Sequence, residues 1–377
     1  MDVHDNNGGT HPHHESLLQV VSVMSVTPLK VTEPRLALQV VTDNDGAMER
    51  RGIIGGCYQI VLYYNHCSDD WNLAGWIVES LAKALVDYPL LAGRLKRTKD
   101  DHNTCLQIVS NDAGIRLLEA RCCLTLPRFL DELIRNKNHE EQLVFWNKID
   151  HQNPEFSPLV YVQVTNFECG GYSIGISCSL LLAEVLVVEN FLKKWAKIHN
   201  EMLLKNGEIK KPIFYQPYQS KLDEALPSDV ISRTLSKKGA ESMVFKINSK
   251  EASFNKERLR EIAMICVEEV EHKFNTKMGS KFSFLVKESS KVTRVQSPSK
   301  SKRKHSSMQG LALKNNFQMT PTTWNEFGLY EVAFSKGNTA VYVSCWVASV
   351  PDGHVLAVPY PKENASASAL IVVSPPC

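Results

Sequence analysis

The sequence predicts an α/β (α+β) protein built in two halves, each a layer of strands with helices against it, meeting at an interface. Three observations predict this. Strand-type and helix-type runs mix in both halves of the chain. Residues 204–240 lack periodicity, carry Pro212, Pro217 and Pro227, and are too long for a loop inside a compact domain, so they read as a crossover between halves. A chain of 377 residues also fits two units at roughly 100–200 residues each. The expected organisation is a polar tail over 1–16, an N-terminal domain over 17–203, a linker over 204–240 and a C-terminal domain over 241–377.

Each element follows from local pattern. Ile53 to Tyr64, IIGGCYQIVLYY, is rich in β-branched and aromatic residues and predicts a strand. Ser68-Asp69-Asp70 offers an N-cap for a helix on which Leu73, Ile77, Leu81 and Leu85 recur at four-residue steps, with Trp76 and Ala84 on the same face. LLAGRLKR (Leu90 to Arg97) turns at Gly93 into another strand. LQIVS (Leu106 to Ser110) and GIRLLEA (Gly114 to Ala120) read as a hairpin about Asn111-Asp112. Residues 127–146 predict a helix opened by Pro127. LVYVQVTNF (Leu159 to Phe167) and YSIGISCS (Tyr172 to Ser179) are strands joined by Glu168-Cys169-Gly170-Gly171. A helix over about 183–203 follows, with Val187, Phe191, Trp195 and Ile198 on one face and Lys193, Lys194 and Lys197 toward solvent.

The second half opens with the strand MVFKI (Met243 to Ile247). A helix over about 254–274 aligns Leu259, Ile262, Cys266, Val270 and Phe274. Residues 288–306, ESSKVTRVQSPSKSKRKHS, are polar and basic around Lys300, Lys302, Arg303 and Lys304. They read as a solvated loop in preference to a nuclear-import patch. Strands return at Ala340 to Ala348, His354 to Val358 and Ala369 to Val373.

Composition narrows the function classes. The chain is 43% hydrophobic and 22% charged, as in globular proteins, and its net charge of +2 is too small to call for nucleic acid. No run approaches the roughly 20 apolar residues of a membrane span, and the polar start MDVHDNNGGTHPHHES lacks the apolar stretch of a secretion signal. The expected compartment is therefore the cytoplasm, with nuclear entry or association with the endoplasmic reticulum kept open. Ten cysteines lie scattered without a CxxC pair, which favours buried reduced thiols over zinc or disulfides. His4, His11, His13 and His14 read as a solvated tail and not a metal site, so no metal is expected. The sequon at Asn364 carries no weight without secretion.

Four stretches, in order, resemble one family. LAKALVDYPLLAGRLKR (Leu81 to Arg97), CLQIVSNDAGIRLLEA (Cys105 to Ala120), SPLVYVQVTNFECGGYSIGIS (Ser157 to Ser177) and TTWNEFGLYEVAFSKGNTAVYVS (Thr322 to Ser344) are similar to segments of the plant BAHD acyl-CoA-dependent acyltransferases. The resemblance covers roughly residues 18–350. It implies two chloramphenicol-acetyltransferase-like domains joined by a crossover loop, with a channel through their interface for acyl-CoA and for an alcohol or amine acceptor. It also implies a His-x-x-x-Asp motif after the second of the paired strands. The histidine of that motif is the general base, for which an imidazole titrating near neutral pH suits, and the aspartate holds the local structure by pairing with an arginine. A second motif, Asp-Phe-Gly-Trp-Gly, shapes the fold.

Aligned through SIGIS, the motif histidine falls on Leu180 and the aspartate on Glu184. Leucine carries no titratable atom, so the 10²–10⁴-fold that general-base catalysis typically supplies cannot come from position 180. The second motif falls on Ala333-Phe334-Ser335-Lys336-Gly337, where only Phe334 and Gly337 match. The second domain also reads as shortened, with the basic loop in place of strands. That puts the partner of Glu184 in doubt, Arg294 and Arg303 being the nearest candidates in the chain. Cys178 is a weak candidate nucleophile, for which a lowered pKa would be needed. His151 and His354 are the histidines that the fold could bring near it.

The resemblance implies a family-level transferase whose base is missing. The favoured expectation is a non-catalytic binding or accessory homologue, without a permanently bound cofactor, that takes acyl-CoA or another lipid as ligand. It is expected to be monomeric. Relatives of the ECERIFERUM type, which this chain resembles in its paired strands and weakened second motif, are held to assist a membrane fatty-acid elongase. An elongase partner and very-long-chain lipid metabolism are therefore implied. The other expectation is an active transferase that places an alcohol or amine acceptor without a histidine base.

Overall fold

The computed structural model describes residues 17–42, 53–65, 73–100, 103–135, 137–182, 184, 190–205, 242–249, 254–279, 282–296, 317–322, 326, 328–348, 350–361 and 367–376. Two large sheets and four α-helices of ten residues or more organise them. The strands, in chain order, are β1 (Leu18–Val26), β2 (Ala37–Thr42), β3 (Cys57–Tyr64), β4 (Arg94–Asp100), β5 (Asn103–Val109), β6 (Ile115–Cys122), β7 (Val160–Phe167), β8 (Tyr172–Ser179), β9 (Met243–Ser249), β10 (Ser283–Ser289), β11 (Val292–Gln296), β12 (Phe317–Thr322), β13 (Ala333–Ser335), β14 (Asn338–Thr339), β15 (Tyr342–Ala348), β16 (His354–Pro361) and β17 (Ala367–Ser374). The helices are α1 (Leu73–Ala84), α2 (Leu126–Arg135), α3 (Phe191–Lys205) and α4 (Lys256–Phe274).

The six-stranded sheet runs β1-β6-β7-β8-β3-β15 and the nine-stranded sheet runs β12-β9-β17-β16-β10-β11-β2-β5-β4. The sheets exchange strands across the sequence. β15, from the second half, closes the edge of the first sheet, while β2, β4 and β5, from the first half, extend the second. The expected division at 203 and 241 therefore does not coincide with the division into sheets. One hydrophobic cluster joins residues of the first sheet to Val244, Leu285, Leu356 and Leu370 of the second. A second cluster lies under α4, where Leu259, Ile262, Cys266 and Val270 pack on the far face of the nine-stranded sheet.

Several expectations change at this level. β5 and β6 are not a hairpin: β5 pairs with β2 and β4, and β6 with β1 and β7. The turn residues predicted a reversal, but Asp112 (φ 55°) and Gly114 (φ 88°) instead carry the chain from one sheet to the other. Asp112 also accepts from the amide and hydroxyl of Thr32. Arg94 staples this crossing, donating to the carbonyls of Gly93, Ala113 and Gly114. Gly93 is glycine because a Cβ would stand 2.4 Å from the Val109 carbonyl oxygen.

The helix expected over 127–146 stops at Arg135, and Lys137–Leu143 forms 3-10 turns. Tertiary contact overrides helical pattern there, since buried Glu140 accepts from the Tyr63 hydroxyl on β3. The strand expected from Ile53 starts at Cys57, after a turn. The helix expected over 183–203 is not continuous: Asn190, at φ 52°, lies in the left-handed region before α3 begins at Phe191. The first part of the expected basic loop is strand, because Val292 to Gln296 alternates and pairs with β10. The polar tail, the Ser68 cap, Val187, the linker beyond residue 205 and the lysine cluster at 300–304 lie outside the described residues.

The paired strands β7 and β8 form as expected, antiparallel with Val160 opposite Cys178. β8 is buried throughout, and Gly175 at its centre lets the chain of Leu143 pass over the sheet. A Cβ at Gly175 would lie 1.9 Å from the Leu143 carbonyl oxygen. Gly175→Ala is expected to cost about 3 kcal/mol or more, since backbone must move on one side or the other. Urea denaturation checks this, with a loss below about 1 kcal/mol counting against the packing described.

Candidate functional site

β8 delivers the motif position to the place where the two sheets meet. Tyr58 on β3 stands opposite Cys178, and beyond the strand end the amide of Leu180 donates to the Gly56 carbonyl. Leu180, Leu181 and Leu182 form a 3-10 turn, and Leu180 is only 1% exposed. Position 180, where the resemblance places the base, is thus filled by a buried aliphatic side chain.

Glu184 is also buried, and it forms an ion pair with Lys287 on β10 of the other sheet. The two side chains are 6% and 13% exposed. Of the two nearest arginine candidates, Arg294 binds Glu288 on its own sheet instead, and Arg303 lies outside the described residues. Local sequence could not identify Lys287, because 103 residues separate it from Glu184 and only the sheet contact joins them.

Cys178 does not have the chemistry of a nucleophile. Its thiol is fully buried, and burial first, then the Glu184 carboxylate, raises its pKa far above that of a free thiol. It stays protonated at neutral pH, donating to the Ser179 carbonyl at 3.6 Å.

Of the two histidines considered, His151 is exposed, its carbonyl held by Arg97, and takes no part. His354 does arrive. It opens β16 in the second sheet, and its Nε2 lies 3.2 Å from the Tyr58 hydroxyl, with the rings edge to face at 5.8 Å. Tyr58 is the cross-strand neighbour of Cys178, so an imidazole from the second half reaches the strand beside the degenerate motif. His354 is completely buried, its Nδ1 has no hydrogen-bond partner among the described residues, and burial lowers its pKa to about 3. It is a neutral group in the interface and a weak base there.

The second motif has a packing role in the geometry. Phe334 is fully buried and meets Trp195, His199 and Tyr64 edge-on, with ring centroids 4.8, 5.5 and 6.1 Å away. Gly337 turns the β13–β14 hairpin at φ 77°, a conformation glycine adopts without strain. His199 was not singled out by sequence reasoning. Its Nδ1 lies 3.0 Å from the Ser80 hydroxyl, which also accepts from the Trp195 indole. Its Nε2 is buried with no side-chain partner among the described residues, and burial, partly offset by a hydrogen bond with the Trp76 backbone, lowers its pKa to about 4. A small cavity between α1, the β7–β8 turn, α3 and β13 is lined by His199, Tyr172, Asn166 and Phe334. The signal missed in the sequence was a histidine on the apolar face of α3, one turn after Trp195. No group of His, Cys, Asp and Glu suited to a metal occurs among the described residues.

The paired strands, the turn that carries position 180 and the second-motif hairpin define an acyltransferase-type scaffold. The model of the Transferase family matches residues 60–297, and the chain belongs to that family, the BAHD acyltransferases. Among its relatives, ECERIFERUM 26-like of Arabidopsis thaliana is 29% identical over 109 residues, covering 29% of this chain and 24% of that one. ECERIFERUM 2 of the same plant is 29% identical over 119 residues, covering 30% and 28%. The 17,18-epoxy-17-hydroxycur-19-ene N-malonyltransferase of Strychnos nux-vomica is 30% identical over 186 residues, covering 48% and 36%. The chain thus spans about a quarter to a third of the length of these curated relatives. The crystal structure of vinorine synthase superposes loosely, with a TM-score of 0.44 and 14% identity over 94% of each chain.

Two measurements test this geometry. Lys287→Ala leaves the buried Glu184 carboxylate without its cation and is expected to cost about 3–5 kcal/mol. The double variant Glu184→Leu/Lys287→Leu is expected to regain most of that in urea denaturation, and equal losses in both would contradict a buried pair. Stability is also expected to fall with pH. His354 and His199 have folded pKa values below the roughly 6.5 of an unfolded histidine. Their contribution is complete above about pH 6.5 and is lost as pH falls toward the folded values, because only the unfolded chain takes up the protons. By pH 5 each histidine is expected to have cost about 2 kcal/mol. His354→Gln should halve the slope between pH 6 and 5 in urea titrations, and an unchanged slope would refute its burial as a neutral group.

Proposed function

We propose that this BAHD family member is a non-catalytic binding or accessory protein, acting in very-long-chain lipid metabolism with acyl-CoA or a related lipid as ligand. One observation carries the reading: the aligned base position is Leu180, 1% exposed, with a sealed and neutral His354 as the imidazole beside that strand. A base must reach the acceptor's proton, and neither residue is reachable in this arrangement. The similarity to two ECERIFERUM proteins supports a wax-related role, with a fatty-acid elongase as the partner class.

The second reading is an active transferase that works through proximity, favoured by the similarity to an N-malonyltransferase. An amine acceptor needs less help from a base than an alcohol does, and orientation alone accelerates such an attack. The discriminating experiment follows free-thiol release from acetyl-, malonyl- and long-chain acyl-CoA with alcohol and amine acceptors, for the natural chain and for Leu180→His. Release by the natural chain is expected to match the protein-free blank, while long-chain acyl-CoA binding by calorimetry is retained. Acceptor-dependent turnover by the natural chain would overturn the non-catalytic reading. Turnover by Leu180→His alone would place the lost function in the missing imidazole.

A further inference from the structure

The connection from β1 to β2, residues 27–36, is ordered by bonds at several points, and beyond the buried Pro28 it turns Leu29, Val31 and Leu36 outward. The Leu29 amide donates to the Ala82 carbonyl at the end of α1. Thr32 is bound through its amide and its hydroxyl to Asp112, and the Leu36 amide donates to the Ser110 hydroxyl. Between these anchors Leu29 is 42% exposed, Val31 77% and Leu36 42%. Val86, four residues beyond Ala82, adds a further aliphatic side chain at 37%. Three of the eight exposed aliphatic residues in the described chain therefore fall within eight residues, on a backbone held at these three points. Lys30 lies between Leu29 and Val31, and Arg35 precedes Leu36, with Glu33 the one acid among them.

We propose that this loop seats the protein on an anionic membrane surface, with Leu29, Val31 and Leu36 entering the interface and Lys30 and Arg35 meeting the headgroups. Chemistry and shape favour a bilayer over a protein partner. The cores of protein interfaces are rich in aromatic residues, while these are aliphatic tips alternating with cations. Residues 29–31 and 33–37 are exposed as a run, and a fluid surface receives exposed aliphatic tips without a matching pocket. Lysine and arginine stems lie along apolar surface while their charges stay with water and phosphate. The inference does not depend on whether the centre of the protein is catalytic.

Vesicle co-sedimentation of the full chain tests it, using phosphatidylcholine alone and phosphatidylcholine with 30% phosphatidylserine, a composition of about the charge of a cytoplasmic leaflet. The natural chain is expected to sediment with the anionic vesicles, and Leu29→Ser/Val31→Ser/Leu36→Ser to bind them at least about tenfold more weakly with an unchanged circular dichroism spectrum. Lys30→Glu/Arg35→Glu is expected to lose the preference for anionic over neutral vesicles. Failure of the natural chain to bind anionic vesicles at low salt would overturn the proposal. So would equal binding by the triple variant, which would move the contact elsewhere. A natural chain that is dimeric while the triple variant is monomeric would assign the loop to a second copy and also overturn it.

Discussion

Glu184 lies just beyond the end of a strand in one sheet and binds a lysine in the other, and the architecture around the motif depends on that join. Taking two charges out of water is costly, so the pair is stable only while both members are present and packed. Its consequence is positional. It ties the turn Leu180–Leu182 to β10, whose residue Ser283 registers with His354, and His354 in turn meets Tyr58 on β3. A carboxylate–ammonium contact and a phenol–imidazole contact therefore bracket the same short stretch from the second sheet. Between them the leucines fill the space with apolar volume.

The exchange of strands makes this join hard to separate from the fold. β15 belongs by sequence to the second half but completes the sheet that holds β8, and β2, β4 and β5 do the reverse. A hydrophobic cluster running from one sheet into the other removes water from both sides of the interface. That dryness explains the chemistry of the site residues together. It keeps the Cys178 thiol protonated and His354 neutral, and it is compatible with Leu180, whereas a histidine there would need a partner or water for its second nitrogen.

Much of this was legible in the sequence, where local pattern is strong. The alternating and β-branched runs at 160–167 and 172–179 specified β7 and β8, and the four-residue apolar spacing specified α1 and α4. That position 180, where the resemblance places the family's base, is a leucine is read from one residue. What the sequence could not show were partners set by distant contacts: Tyr58 and His354 are 296 residues apart, and Glu184 and Lys287 are 103 apart. The turn residues at 111–112 were read as turn-forming, but whether a turn reverses the chain within one sheet or passes it to another depends on what Asp112 bonds, which is Thr32. The helix expected through 146 failed for a similar reason, because Glu140 is held by a tyrosine of the sheet, 77 residues away in sequence.

The place where the two sheets meet, beside position 180, is closed to water by the buried cluster around it. The most direct measurement is the pH titration of the His354 ring nitrogens by NMR on the chain labelled with ¹⁵N at histidine, assigned with His354→Gln. The account predicts one neutral tautomer whose shifts stay constant from pH 8 to about pH 5, since burial holds the folded pKa at about 3. A titration with a midpoint near the roughly 6.5 of a hydrated histidine would contradict it and show an interface open to solvent.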